Sequence, residues 1–419
     1  MQWTLGKTFT LIIMIPLVSA YSFSLDLYNP LVPTIQTALE ISRFDIQLTN
    51  SLFMLFCGLG QLVFGPLSDR YGRRSVLFTS LVVSMLANFI CMKTTVYSLF
   101  LTGKCLQAIG ACGSYLTCFA TVRDLYNKPE KSAEMFSYLN IANSISAIIA
   151  PSIGTQLGQI FGWQSIFFTL MIYALFAFII CFFYYGETFP NKPKHTKKYQ
   201  ILCDYWCVFS HVNYQVYTLP AALGVSSFFA YFSISPYLYQ HTFGLSKEIY
   251  SLLFGSCGLT FFIGSYVCGK LVNRIGIIKT LLLGQMFHLV GCIGLISSFI
   301  IHTSFQLTFM HLSVILIIWG SSFMVSSGIG GTMAPFQSIA GSAFALISAY
   351  KFTLCYVLGE MVMKMYDNTP IPLGILLFSI NVFSLLILFL FRNHLQCEST
   401  LSPPTQDSIS MSKSIDNIL

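Results

Sequence analysis

Three ionisable side chains, Asp26, Lys104 and Lys351, lie inside otherwise apolar stretches. A charge held away from water is costly, so such residues are functional suspects, as proton carriers or substrate contacts. Asp26 falls roughly eight residues from one end of its run and Lys104 roughly seven from the same-side end of its own, about 10–12 Å deep at a helical rise. Equal depth allows a pair, in which Asp26 alternates between carrying a proton and meeting Lys104 or a substrate. Ser19, Ser22, Asp26 and Asn29 share a stripe at helical spacing, as do Lys104, Gln107, Ala111 and Ser114. Two polar stripes must face each other or water. Lys351 lies near the middle of a later run, where it can recognise an anionic substrate group, pair with a carboxylate, or snorkel. Glu360, nine residues on, falls on the opposite helical face near an outer end. A fourth concentration of charge is the run GPLSDRYGRR at 65–74, with four charged residues in a chain that is only 9% charged.

The elements that must position these groups are membrane spans. The chain is 55% hydrophobic, and apolar runs near twenty residues recur along it. Twelve spans are expected, at 9–33, 46–67, 75–93, 97–121, 133–157, 163–185, 214–238, 248–270, 277–300, 307–330, 338–362 and 371–391. Helix is their expected state, since each backbone amide in lipid needs a partner within its own segment. The first run has no small-residue cleavage site and carries Asp26, Pro30 and Pro33, so it reads as an uncleaved span. With the N-terminus inside, sixteen of the 22 Lys and Arg fall on the inner side and four outside, which places both termini in the cytoplasm. The net charge of +7 is therefore a topological signature, and no nucleic-acid partner is expected.

The polar interruption 187–213 divides the spans six and six, giving halves at 1–186 and 214–392 with a cytoplasmic linker between them. The tail 393–419, rich in Ser, Thr and Pro, is expected to be disordered. GPLSDRYG at 65–72 returns as GKLVNRIG at 269–276, after the second and the eighth spans, with Asp69 replaced by Asn273. Two six-helix halves built from parallel repeats, with the substrate between them, are the architecture this echo suggests.

Other chemistries find little support. The thirteen cysteines are scattered, with no CxxC pair and no histidine at metal-ligand spacing, so they read as small apolar filler and no metal is expected. HExxH, GxGD and GxSxG are absent, and GSYVCGKL at 264–271 imitates a phosphate loop but ends in Leu within a span. No enzyme activity and no cofactor are expected. Tyr28, Tyr231 and Tyr239 read as lipid-facing or interfacial rings, with lining for a pocket as the alternative.

GPLSDRYGRRSVL resembles the signature loop of the major facilitator superfamily, Gly-x-Leu-x-Asp-Arg-x-Gly-Arg-Arg, at every position. LDLYNPLVP at 25–33, the run 123–158 and AGSAFAL at 340–346 resemble its Bcr/CflA-type drug/proton antiporter branch. The resemblance implies a cytoplasmic gate in which Asp69 latches the halves against the start of the eleventh span, near Gln337 and Ser338. Gly65 and Gly72 would permit a tight turn and close helix approach. Arg70, Arg73 and Arg74 would pair with Asp69 or with Asp124, beside Arg123. In the family a buried arginine on the fourth span serves proton coupling. Here KCLQAIGA puts Lys104 in that place and keeps Gln107. A Gln is usual at the position of Lys351, so its charge is a departure. APSIGTQLG at 150–158 resembles the antiporter motif of the fifth span, keeping Pro151 and Gly154 but with Ala150 and Thr155 for glycines. Pro151 can bend that helix.

The expected function is proton-coupled export of small amphipathic compounds by alternating access, from a monomer in a bacterial inner membrane. Its partners would be the substrate, protons and lipid, and the proton gradient its only energy source. The alternative is a dedicated carrier of a metabolite, amino acid or siderophore, exporter or importer.

Overall fold

The computed structural model describes residues 7–125, 129–188, 198–300, 305–333, 335–336 and 340–391. The 393–419 tail and the Gln337–Ser338 pair lie outside them. Among the described residues the regular structure is helical, with no strand. The first set comprises α1 (Lys7–Asp26), α2 (Val32–Ala38), α3 (Arg43–Tyr71), α4 (Arg73–Lys93), α5 (Tyr97–Leu125), α6 (Pro129–Phe161) and α7 (Gln164–Tyr184). A linking helix, α8 (Lys198–Ser210), leads to α9 (Val212–Tyr237), α10 (Lys247–Ile275), α11 (Ile277–Ile300), α12 (Gln306–Met333), α13 (Ala340–Met365) and α14 (Ile371–Leu390).

Among the described residues, eleven helical stretches are long and apolar enough to cross a membrane. The expected span 133–157 falls on α6. There the apolar helix is the shorter Ile145–Phe161, because most side chains before it lie outside the described residues. Large apolar side chains such as Phe176, Leu252 and Phe389 face outward, as lipid contact requires and water would punish.

Local chemistry explains the irregular pieces. The Pro30 ring conflicts with the carbonyl of residue 26, four positions back, and α1 stops at Asp26. A single 3-10 turn, Asn29–Leu31, then leads to α2, which has Pro33 in its first turn, where a missing N–H costs nothing. The first expected span is thus a broken helix, and its polar stripe is interrupted between Asp26 and Asn29. Pro236 similarly precedes one π turn, Leu238–Thr242, at the end of α9. Ser42 and Asp45 cap α3 reciprocally, the Ser42 hydroxyl accepting from Asp45 N–H at 3.0 Å.

The two sets pack alike. Contacts α1–α5, α1–α6, α3–α5, α4–α5 and α4–α7 have counterparts in α9–α12, α9–α13, α10–α12, α11–α12 and α11–α14. Between the sets, α3 lies on α13 and α6 on α10. The linker is more than a tether, since α8 binds both sets. The Tyr205 hydroxyl donates to the Leu62 carbonyl of α3 at 3.4 Å. Val208 is buried with Tyr214, Phe336, Ala343 and Ile347.

Candidate transport pathway

The near end of the bundle, which carries Lys7 and Phe391, holds the charged loop. Gly72 ends α3 at φ +96°, a backbone state that disfavours a side chain, and α4 begins at once. Gly65 has open space around it, so close helix approach there is a correction to the expectation. Arg73 is fully buried and pairs with Asp124 of α5 at 2.8 Å; its guanidinium also donates to the Ser68 hydroxyl at 2.5 Å. Arg74 turns away, donating to the Phe182 carbonyl at 3.1 Å and covering the Phe78 ring. Arg70 is exposed against the Tyr71 ring. Of the three arginines, Arg73 alone takes the Asp124 carboxylate. The side chains of Asp69 and Arg123 lie outside the described residues.

Glu187 was missed by sequence reasoning, being counted as the first residue of the linker. Its carboxylate accepts from Arg73 N–H at 3.0 Å and Arg74 N–H at 3.3 Å. It thereby caps the N-terminus of α4, where amides lack partners and the helix dipole favours a negative charge. The usable signal was an acid placed directly after an apolar run whose other neighbours are basic.

In the interior, Asp26 and Lys104 are both buried but do not pair in this structure. The Lys104 ammonium donates to Gln107 Oε1 at 2.9 Å and sits 4.3 Å from the Tyr28 ring centroid and 5.1 Å from that of Phe53. Gln107 in turn donates to Asn88 Oδ1 at 2.8 Å. The cation is therefore held by an amide oxygen and two ring faces, a favourable site for a desolvated ammonium. Tyr28 is 0% exposed, as is Tyr239, with Tyr231 at 2%, so none of these rings faces lipid. The Asp26 carboxylate instead accepts from the Ser146 hydroxyl of α6 at 3.2 Å.

The helix break gives Gly154 its role. A Cβ at that position would strike the Leu27 carbonyl and lie 3.0 Å from Leu27 Cα. The broken segment after Asp26 thus rests directly on α6. One helical turn away, the Pro151 carbonyl accepts from the Ser251 hydroxyl of α10 at 3.3 Å, and Thr155 bonds the same hydroxyl at 2.7 Å.

The far end is closed by hydrogen bonds between the two sets. Asn29 donates to the Tyr250 hydroxyl at 2.7 Å, Gln47 to Ser233 at 2.5 Å, and Tyr237 to Gln36 at 2.9 Å. Gln240 reaches the Pro30 carbonyl at 3.1 Å and Lys247 reaches Thr34 at 2.7 Å. Gln159 and Glu248 join α6 to α10 at the rim. Most of these partners lie on the segment that follows Asp26.

Lys351 is half-buried on α13, its ammonium 5.4 Å from the Phe352 ring centroid. Glu360 lies near the far end of α13, apart from Lys351. Among the described residues no group of His, Cys, Asp and Glu could hold a metal ion.

Known proteins share this plan. The chain is 28% identical over 372 residues to a chloramphenicol resistance protein of Pseudomonas aeruginosa, covering 88% of each. It is 23% identical over 380 residues to multidrug resistance protein D of Escherichia coli, covering 88% of this chain and 91% of that one. A bicyclomycin resistance protein homolog of Haemophilus influenzae is 21% identical over 369 residues, 88% of this chain and 92% of that one. Among solved structures, the E. coli xylose transporter XylE in a partially occluded inward-open conformation superposes with a TM-score of 0.71 at 13% identity, covering 91% of this chain and 97% of that one. The family model of the Major Facilitator Superfamily matches residues 14–360. The chain belongs to the Major Facilitator Superfamily, and it is a membrane carrier rather than an enzyme.

Proposed function

We propose that this chain is a proton-coupled antiporter of the drug-efflux type. It exports small amphipathic compounds across a bacterial inner membrane by alternating access. Twelve crossings form two six-helix halves, 1–186 and 214–392, related by a pseudo-twofold axis and joined by the 187–213 linker. Both termini are cytoplasmic, and the monomer is the working unit. The repeated contact pairs and the sixteen-to-four bias of Lys and Arg support this arrangement. The names of the resistance relatives support export of drug-like compounds.

The observation that carries the reading is the break in the first span. Asp26 ends α1, and the next residues both rest on Gly154 and supply most of the hydrogen bonds that close the far end. A proton arriving at Asp26 changes the charge at the hinge of that closing segment. Its hydrogen bond with Ser146 extends the effect to α6, the helix that meets α10 across the halves. Proton occupancy and far-end opening are thereby coupled through one short stretch of chain. Lys104, held by Gln107 and Tyr28, places a second ionisable group in the same half. At the near end, Arg73, bonded to Ser68 and Asp124, holds α3, α4 and α5 as a unit, with Glu187 capping α4, and Asp69 would latch that unit to the second half.

The test is flux in proteoliposomes. With an imposed pH gradient, the wild-type chain should move chloramphenicol against its concentration gradient, and Asp26→Asn should lose about tenfold or more of the gradient-driven component. An Asp26→Asn protein that still drives uphill flux in step with proton movement would remove Asp26 from the coupling role.

A further inference from the structure

Phe344, Ser348, Lys351 and Cys355 fall at i, i+4, i+7 and i+11 on α13 and so share one face. That face looks into the interface between the halves. Phe344 stacks on Phe119 of α5, with ring centroids 5.8 Å apart, and Cys355 accepts from the Ser226 hydroxyl of α9 at 3.4 Å. Lys351 therefore projects toward the junction of α1, α5 and α9. Rings surround that junction. Phe352 lies 5.7 Å from Tyr21, which lies 5.6 Å from Tyr115, and Tyr21 and Tyr115 are both only half-buried.

The ammonium itself has no carboxylate within 4.0 Å among the described residues. Neither Asp26 nor Glu360 pairs with it. Asp26 accepts from Ser146, and Glu360 lies nine residues further along α13, about 13 Å toward the far end. Lys104 adds a second cation to the interior. An unpaired ammonium in such surroundings is at a high free energy, and an anion that neutralises it gains a strong, charge-assisted hydrogen bond.

We propose that Lys351 and the Tyr21–Tyr115–Phe352 ring cluster form a subsite for an aromatic carboxylate, so that the preferred substrates are small aromatic acids carried as anions. This rests on the transporter reading above. The rings take the flat body and Lys351 takes the carboxylate.

The experiment uses the full chain and three isosteric probes: 2-naphthoate, 2-naphthamide and 2-naphthylmethylammonium. Equilibrium dialysis against purified protein should give about tenfold tighter binding of the acid than of the amide, and the ammonium weakest. Lys351→Gln should bring the acid down to the amide while leaving the amide unchanged, and Lys351→Arg should keep the preference. Thermal melting of each variant checks that it is folded. Equal binding of acid and amide, preference for the ammonium, parallel loss of both in Lys351→Gln, or no binding of any probe would overturn the subsite. Flux of the same probes under a pH gradient separates the two readings. Uphill transport without acid preference ends the subsite and keeps the antiporter. Acid-selective binding without uphill transport ends the antiporter and keeps the subsite.

Discussion

The two ends of the bundle are held together by different chemistry. At the near end, charge is concentrated within the first half: Arg73 is buried against Asp124, and Glu187 caps the helix that Arg73 begins. At the far end, the two sets meet mostly through hydroxyls, amides and backbone carbonyls, such as Asn29 with Tyr250 and Gln47 with Ser233, while Lys247, Glu248 and Arg43 each bond a neutral partner there instead of an opposite charge. The buried ion pair is costly to leave half-made, so it maintains a rigid unit. Each neutral hydrogen bond contributes only about 1 kcal/mol net, so a row of them can close an end and still come apart. A carrier needs both kinds. Its halves must stay intact while the contacts between them exchange.

The sharpest way to break this contrast is at Asp124. Asp124→Asn leaves the Arg73 guanidinium buried without its counter-ion and should cost about 3–5 kcal/mol, read as a large fall in thermal stability of the purified protein. A change of under about 1 kcal/mol would mean that the pair acts as an exposed one. Gly154→Val is next. The added side chain must displace the Leu27 carbonyl, with an expected loss of about 1–3 kcal/mol and weakened far-end closure. A fully stable variant would show that the broken segment yields freely. Tyr250→Phe removes the hydroxyl shared by Asn29 and Ser235 and should shift the population toward far-end opening by about 1 kcal/mol, roughly fivefold. Reactivity of a cysteine placed at Thr34 toward an impermeant thiol reagent measures it, and unchanged reactivity would remove Tyr250 from the closure. The smallest effect is that of salt. Because the far-end contacts are mostly neutral, raising ionic strength from about 0.05 to 0.5 M should leave that reactivity nearly unchanged.

Much of the architecture was legible before any coordinates, because membrane spans announce themselves in composition. Among the described residues eleven stretches satisfy length and apolarity, and the expected span 133–157 falls on α6. The linker was read less well. It was expected only as a polar link between the halves, with no element of its own, while α8 forms in it, where Tyr205 and Val208 find partners on α3 and α13. In the site, Asp26, Lys104 and Lys351 stood out as charges in apolar company, and Arg73 as part of a charged loop. Their partners did not, since those lie on helices remote in sequence.

By itself the sequence determined which stretches are apolar enough to enter the membrane and which residues carry charge into it. These are local matters, set by the hydrophobic run and the helical period; the stop at Asp26 that Pro30 imposes is local too, but the expected span ran through it to residue 33. Only the tertiary structure decided that Lys104 rests on Tyr28 and Gln107 instead of Asp26, that Glu187 caps α4, and that Gly154 lies under Leu27. The reason is that a partner is chosen by the crossing of two helices. A rotation of a fraction of a turn selects a different side chain while leaving each helix's own periodicity unchanged.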